Sequence, residues 1–251
     1  MSREFENKVV LVTGAGGGIG SACWKHLHRE GADLILLDRD VSGIPAGERI
    51  ETIALDLTAA DLEAKLDSLL GHRTRLDGLV NVAGMQIVRN LVDCSAEDFE
   101  NTFSVNLRAA FVVSTWAARR MLARKAGAIV AVSSTSGRMP RKGQGLYCGS
   151  KAGLTQMMRV LGLELAPSGV RVNTVAPGST DTPMVRHMAQ TMGYGNEVLQ
   201  GSAENFRLGI PLGRMAEVED VAEAIAFLLS DRARHVTMHE LIVDGGGTLG
   251  L

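Results

Sequence analysis

The chain has 251 residues, 45% of them hydrophobic, with 26 Lys plus Arg against 28 Asp plus Glu and a formal charge of −2. This is enough for one substantial α/β core and requires no second domain. The near-neutral balance gives nucleic-acid binding no electrostatic support, and the densest basic stretch, Arg119 to Lys125, reads as the solvated end of a helix. Cys23, Cys94 and Cys148 are odd in number and form no C-x-x-C pair, so neither a disulfide framework nor a zinc site is expected. The start, MSREFENK, is polar, and no apolar run approaches the roughly 18 residues of a membrane span, so no signal peptide or membrane segment is expected and a cytoplasmic location is.

Apolar runs alternate with helical patterns along the chain. Val9 to Val12 reads as a strand, followed by a helix from about Gly18, a strand over Asp33 to Leu37 and a weaker run around Ile50 to Leu55. Gly78 to Val82 and Ala128 to Ser133 read as strands on either side of a helical stretch from about Ser95 to Arg124. A helix from about Gly145 to Leu165, a strand over Arg171 to Val175, an amphipathic helix at Val218 to Leu229 and a last strand at Glu240 to Val243 complete the series. The rhythm predicts βαβ units and a doubly wound parallel sheet of seven strands with helices on both faces. One stretch, Ser179 to about Pro211, lacks a clear period. It follows a strand's carboxyl end, where ligands of such sheets bind, and is a candidate lid.

Directly after the first strand stands TGAGGGIG, Thr13 to Gly20, opening a helix. Glycines there let the backbone turn sharply and approach a pyrophosphate, whose charge meets the helix N-terminus. Thr13, Gly14, Gly18, Ile19 and Gly20 are therefore candidate cofactor-binding residues. The second strand ends at Asp38, whose carboxylate can accept hydrogen bonds from the adenosine ribose hydroxyls and would repel a 2′-phosphate. NAD is expected over NADP, with adjacent Arg39 leaving dual use open. Asp38 also reads as a turn-initiating residue.

Tyr147 and Lys151 are four apart in a helical segment, so both side chains project from one face. A cation about 4 Å from a phenol, at an effective dielectric of about 20, favours the phenolate by on the order of 4 kcal/mol, some three pKa units. Lys151 is thus expected to bring Tyr147 within reach of proton transfer. Ser134 follows the strand Ala128 to Ser133, where a hydroxyl can hold a substrate oxygen. Asn106, inside a helix pattern, can carry a water that relays protons to Lys151. Taken singly, these residues also read as a turn serine, a buried hydrogen-bonding asparagine and a surface pair.

TGAGGGIG at 13–20, NVAG at 81–84, Asn106, Ser134, YCGSK at 147–151 and PG at 177–178 together resemble the short-chain dehydrogenase/reductase family over essentially the whole chain. The resemblance implies a Rossmann-type sheet with an Asn106, Ser134, Tyr147, Lys151 tetrad that moves a hydride between C–OH and C=O. It further implies Asp56 and Leu57 beside the adenine, Asn81, Ala83 and Gly84 supporting the cofactor, Pro177 and Gly178 at its edge, Thr182 at its carboxamide, and a homotetramer. The segments SGVRVNTVAPGSTDTPM (168–184), MPRKG (139–143), FRLGIPLGRMA (206–216) and LIVDGGGTLGL (241–251) resemble a branch of that family acting on a cyclohexadiene diol carboxylate.

An anionic substrate calls for a nearby cation, and Arg141 lies between Ser134 and Tyr147; a guanidinium can grip a carboxylate with two hydrogen bonds. Arg141 also reads as a solvated loop charge. Met184, Met188 and Met192 recur every four residues and read either as an apolar lid over the ring or as helix packing. Two other readings stay open, an amino analogue of the diol as substrate and a catalytically silent NAD sensor. His235 and His239 have helical spacing but fall at a strand, and no carboxylate motif accompanies them, so no metal is expected.

Overall fold

The computed structural model describes residues 3–45, 47–192 and 197–250, with the side chains of 188–192 outside that description. Seven strands, β1 (Val9–Thr13), β2 (Asp33–Asp38), β3 (Ile50–Ala54), β4 (Gly78–Asn81), β5 (Gly127–Val132), β6 (Val170–Pro177) and β9 (Glu240–Val243), form one sheet in the order β3-β2-β1-β4-β5-β6-β9. All six pairings are parallel. Strands such as VVLVT and DLILLD are buried nearly throughout because helices cover both sheet faces, which explains their continuous apolar runs.

On one face lie α1 (Gly18–Arg29) and α8 (Val218–Leu229). The buried Gly20, Cys23, Trp24 and Leu27 of α1 fall at spacings of three and four, the period of a one-sided helix. On the other face α2 (Leu62–Leu70), α4 (Ala109–Arg124) and α5 (Gly145–Leu165) pack through Leu66, Trp116, Met121, Leu154 and Met158 into a second core. The helix α2 is absent from the sequence-based expectation, although Leu62, Leu66 and Leu70, all fully buried, repeat every four residues.

The helix expected from Ser95 to Arg124 is two helices. A capping box between Ser95 and Asp98 starts α3 (Ala96–Phe103), which passes through a π-helical turn at Ser104–Arg108 into α4. There the Ala109 N–H reaches back five residues to the Ser104 carbonyl. Such widened turns displace a side chain from the regular helix face, and this one carries Asn106 into the interior.

The stretch without a period is also partly regular: α6 (Pro183–Met192), α7 (Glu197–Gln200) and a short antiparallel hairpin, β7 (Gly201–Ser202) with β8 (Arg207–Leu208). Thr182 accepts the Val185 N–H at 3.2 Å and so caps the start of α6. Of the three methionines placed on one face, Met184 is described on α6; the side chains of Met188 and Met192 lie outside the described residues.

Candidate active site

The sheet order reverses between β1 and β4, and at the carboxyl ends of these strands a cleft of about 900 Å³ opens. This is where doubly wound sheets hold ligands. Gly14 to Ser21 line one side of it. The tight turn needs bare backbone: a Cβ on Gly20 would lie 2.0 Å from the Gly14 carbonyl oxygen, and one on Gly14, at φ +67°, 2.6 Å from the Ala83 nitrogen. The first turn of α1 carries no acidic side chain, so its N-terminal N–H groups and dipole favour an anion.

Asp38 reaches back to this loop, its Oδ2 accepting the Gly16 N–H at 2.8 Å and its Oδ1 the Asp40 N–H at 3.2 Å. Asp56, Leu57, Ala83, Gly84, Pro177, Gly178 and Thr182 also line the cleft. A glycine cradle on a helix N-terminus, a carboxylate at the end of β2 and an apolar wall of Ile19 and Leu57 together fit a dinucleotide. Thr13 and Asn81 are placed differently from the other residues assigned to the cofactor. Both are buried outside the lining: Thr13 Oγ1 accepts the Val82 N–H at 3.2 Å, and Asn81 Nδ2 donates to Ser114 Oγ at 2.8 Å. They brace the strand ends that carry the cleft.

The four residues expected to act together converge at the opposite end. Ser134 sits at the end of β5 and hydrogen-bonds the Tyr147 side chain, while its Oγ accepts the Ser136 N–H at 3.1 Å. Lys151, one turn beyond Tyr147 on α5, is 3% exposed and has its Nζ 5.7 Å from the Tyr147 ring centre. That Nζ donates to the Val132 carbonyl at 2.8 Å. Asn106 is fixed by Met85, whose N–H it accepts at 2.8 Å and whose carbonyl it meets at 2.9 Å, and by Ser150 Oγ at 3.0 Å. A Cβ on Gly84 would stand 3.4 Å from Lys151 Nζ and 3.5 Å from Asn106 Oδ1, so the missing side chain leaves space between the two.

The electrostatics differ from the sequence expectation. Burial raises the Tyr147 pKa, opposed by the hydrogen bond with Ser134, and lowers that of Lys151 to about 8. Desolvation is the largest influence on Tyr147, and the cleft by itself favours the protonated phenol.

Charge is divided along the cleft. Among its described lining residues, Asp38, Asp40 and Asp56 stand with Arg39 on the β2–β3 side, whereas Arg141, Lys151 and Arg207 stand on the β5–β6 side. One more acid, Asp244, is engaged by the N–H groups of Gly246 and Thr248 and by the Thr248 hydroxyl at 2.7–2.9 Å. Arg207 was not singled out in the sequence. It lies in the FRLGIPLGRMA segment, but only the hairpin brings it to Ser179, to whose Oγ its Nη2 donates at 2.7 Å. Met184 lines the cleft while 41% exposed. Among the described residues no helix is long and apolar enough to cross a membrane.

A parallel sheet with a dinucleotide cradle beside a serine, tyrosine and lysine defines an oxidoreductase that uses a nicotinamide cofactor. The family model described as enoyl-(acyl carrier protein) reductase matches residues 14–248, and the chain belongs to that family, among the short-chain dehydrogenases/reductases. It is 39% identical over 249 residues to the 2,3-dihydro-2,3-dihydroxybenzoate dehydrogenase of Escherichia coli (strain K12), covering 98% of this chain and 99% of that one. It is also 37% identical to the L-xylulose reductase of Bos taurus, over 98% of each. A solved structure of 4-hydroxyisoleucine dehydrogenase complexed with NADH superimposes with a TM-score of 0.88 at 26% identity, over 98% of this chain and all of that one.

Proposed function

We propose that the protein oxidises 2,3-dihydro-2,3-dihydroxybenzoate to 2,3-dihydroxybenzoate with NAD, a step of catechol siderophore biosynthesis. The observation that carries this reading is the charge at the reacting end of the cleft, where Arg141 and Arg207 accompany Lys151. A neutral pentulose, the substrate named by the xylulose reductase relative, has no need of two guanidinium groups, whereas a ring carboxylate does. The likeness to the dihydroxybenzoate dehydrogenase supports the same choice.

When bound, the oxidised nicotinamide supplies the hydride acceptor and a positive charge beside the phenol. Ser134 holds the C3 oxygen, and Tyr147 takes its proton as the C3 hydrogen leaves as hydride. Lys151 and a water between it and Asn106 return that proton to solvent, using the space Gly84 leaves. The resulting ketone loses its C2 proton and gains one on oxygen, so the ring becomes an aromatic catechol. Arg141 grips the carboxylate, Met184 and the other described residues of the 179–211 segment act as a lid, and Asp38 selects NAD by facing where a 2′-phosphate would sit.

The test is NADH or NADPH absorbance with the carboxylated diene diol, its 2-amino analogue (dihydro-3-hydroxyanthranilate) and xylitol, the alcohol form of L-xylulose, each with NAD and NADP. The diol with NAD is expected to turn over at least about 100-fold faster by kcat/KM than the other pairs, and Tyr147→Phe to abolish turnover while sparing NADH binding. Preference for the amine or the sugar alcohol would replace the substrate. NADH binding without turnover of any of them would make the chain a sensor.

A further inference from the structure

We infer that Arg207 is a determinant of specificity for the substrate's carboxylate, reaching it from a different segment of the cleft lining than Arg141. The inference rests on the reading of a carboxylated ring as substrate and adds a residue to it. Arg141 belongs to the loop after β5, on the wall that carries Ser134 and Tyr147, and its charge acts on the neighbouring Cys148 thiol. Arg207 comes from β8, which pairs with β7 through Ser202. The two guanidinium groups thus border the same cleft on segments far apart in the chain.

The local structure fixes where Arg207 points. Asn205 turns the hairpin by hydrogen-bonding Ser202 Oγ at 3.1 Å, and Phe206 adopts a left-handed φ of 51°. Phe206 is consequently 91% exposed, while Arg207, the next residue, is half-buried against the cleft. The Ser179 hydroxyl accepts from Nη2, one of the five N–H donors of the guanidinium, and orients its plane. The Ser179 carbonyl in turn accepts the Ala216 N–H at 3.0 Å, so the support is itself held by main chain. The cleft lining that Arg207 joins also includes Val185, Val198 and Ile210, with Met184 and Leu208 partly exposed and with Asp244 held by its own loop. There a guanidinium can meet a carboxylate with charge-assisted hydrogen bonds, which strengthen as the bound ring displaces water. It also repels a cation and gives a neutral ring nothing to gain.

Arg207→Gln, Arg207→Lys and the wild type, each loaded with NADH, are titrated with 2,3-dihydroxybenzoate and with catechol, the same ring without its carboxylate, following NADH fluorescence. The wild type is expected to favour the carboxylate, and Arg207→Gln to reduce the ratio of the two affinities about 100-fold, as truncating one side of a desolvated charge pair does. Arg207→Lys keeps charge without the fork and is expected to fall between. Equal weakening of both ligands, or an unchanged ratio, would overturn the inference by making Arg207 a brace of the hairpin only. If Arg207→Gln does not fold, by thermal unfolding, the Lys variant decides on the same ratio. Absence of turnover of the carboxylated diene by wild type would remove the proposed reaction, while the ratio of ligand affinities still reports on Arg207.

Discussion

Lys151 holds an ammonium group at 3% exposure against a single main-chain carbonyl, Val132, at 2.8 Å. Its folded pKa is lowered to about 8 from its ordinary value of 10.5, because burial penalises the charged form. Below pH 8 both folded and unfolded chains carry the proton, and the full cost of the buried charge is present. Between about 8 and 10.5 the folded chain has released it and the unfolded chain has not, so stability rises with pH across that window. Lys151→Met is expected to raise stability at pH 7 by on the order of 3 kcal/mol, to flatten the rise above pH 8 and to remove turnover. Urea unfolding at pH 7 and pH 10 checks it, and a destabilised variant at pH 7 would show that the Val132 bond outweighs desolvation. The same balance explains Tyr147. The sequence places a cation one turn away, but only the folded cleft shows that burial raises the Tyr147 pKa and lowers that of Lys151.

At the scale of elements, β9 contributes more than an edge strand. Glu240 is 1% exposed on its side chain and lies between Arg138, in the loop after Ser134, and Arg159 on α5. Thr155, one turn after Lys151, donates to it at 3.0 Å and meets Ser133 Oγ at 2.6 Å. One buried carboxylate therefore ties the loop of Ser134 and Arg141 and the helix of Tyr147 to the sheet. The two arginines are 35% and 40% exposed, so on losing Glu240 they rehydrate, and the cost falls below that of a fully buried pair. Glu240→Ala is expected to lower stability by about 2 kcal/mol and kcat about tenfold, leaving KM for NAD near wild type. Unfolding midpoints and steady-state kinetics measure both, and an unchanged kcat would confine Glu240 to stability.

Elements differed in how far the sequence disclosed them. The strands, α1, α5 and α8 were legible because each buries a continuous or one-sided apolar run, and the glycine turn because its chemistry is local. The helix α2 carried its period in only three buried leucines, Leu62, Leu66 and Leu70, of a nine-residue segment. The π-helical turn left no compositional trace, since one residue more per turn changes no residue type. Arg207 and Ser179 are 28 positions apart, and their meeting depends on a hairpin of two-residue strands that no periodicity reveals.

For the molecule as a whole, the outer faces of α4 and α5 carry exposed large apolar residues although neither face meets the sheet. Phe111 and Leu122 on α4 are 48% and 39% exposed, and Val160 and Leu163 on α5 are 46% and 64% exposed. Each alone is ordinary, but two neighbouring helices with outward apolar residues leave a face better covered than hydrated. A helix pair of one chain against the same pair of another gives an isologous contact, in which every residue acts twice, and a second such contact at a different face closes a tetramer. We propose that assembly, and light scattering is expected to give a mass of four chains. Substituting Phe111→Glu and Leu163→Glu together places like charges at symmetry-related positions and desolvates them on association, a loss expected to exceed about 100-fold in the association constant. The double variant should then run as a smaller species whose NADH binding persists, because the cradle lies at the strand ends and on α1, away from that face. A monomeric wild type, or an unchanged mass for the variant, would place the contact elsewhere.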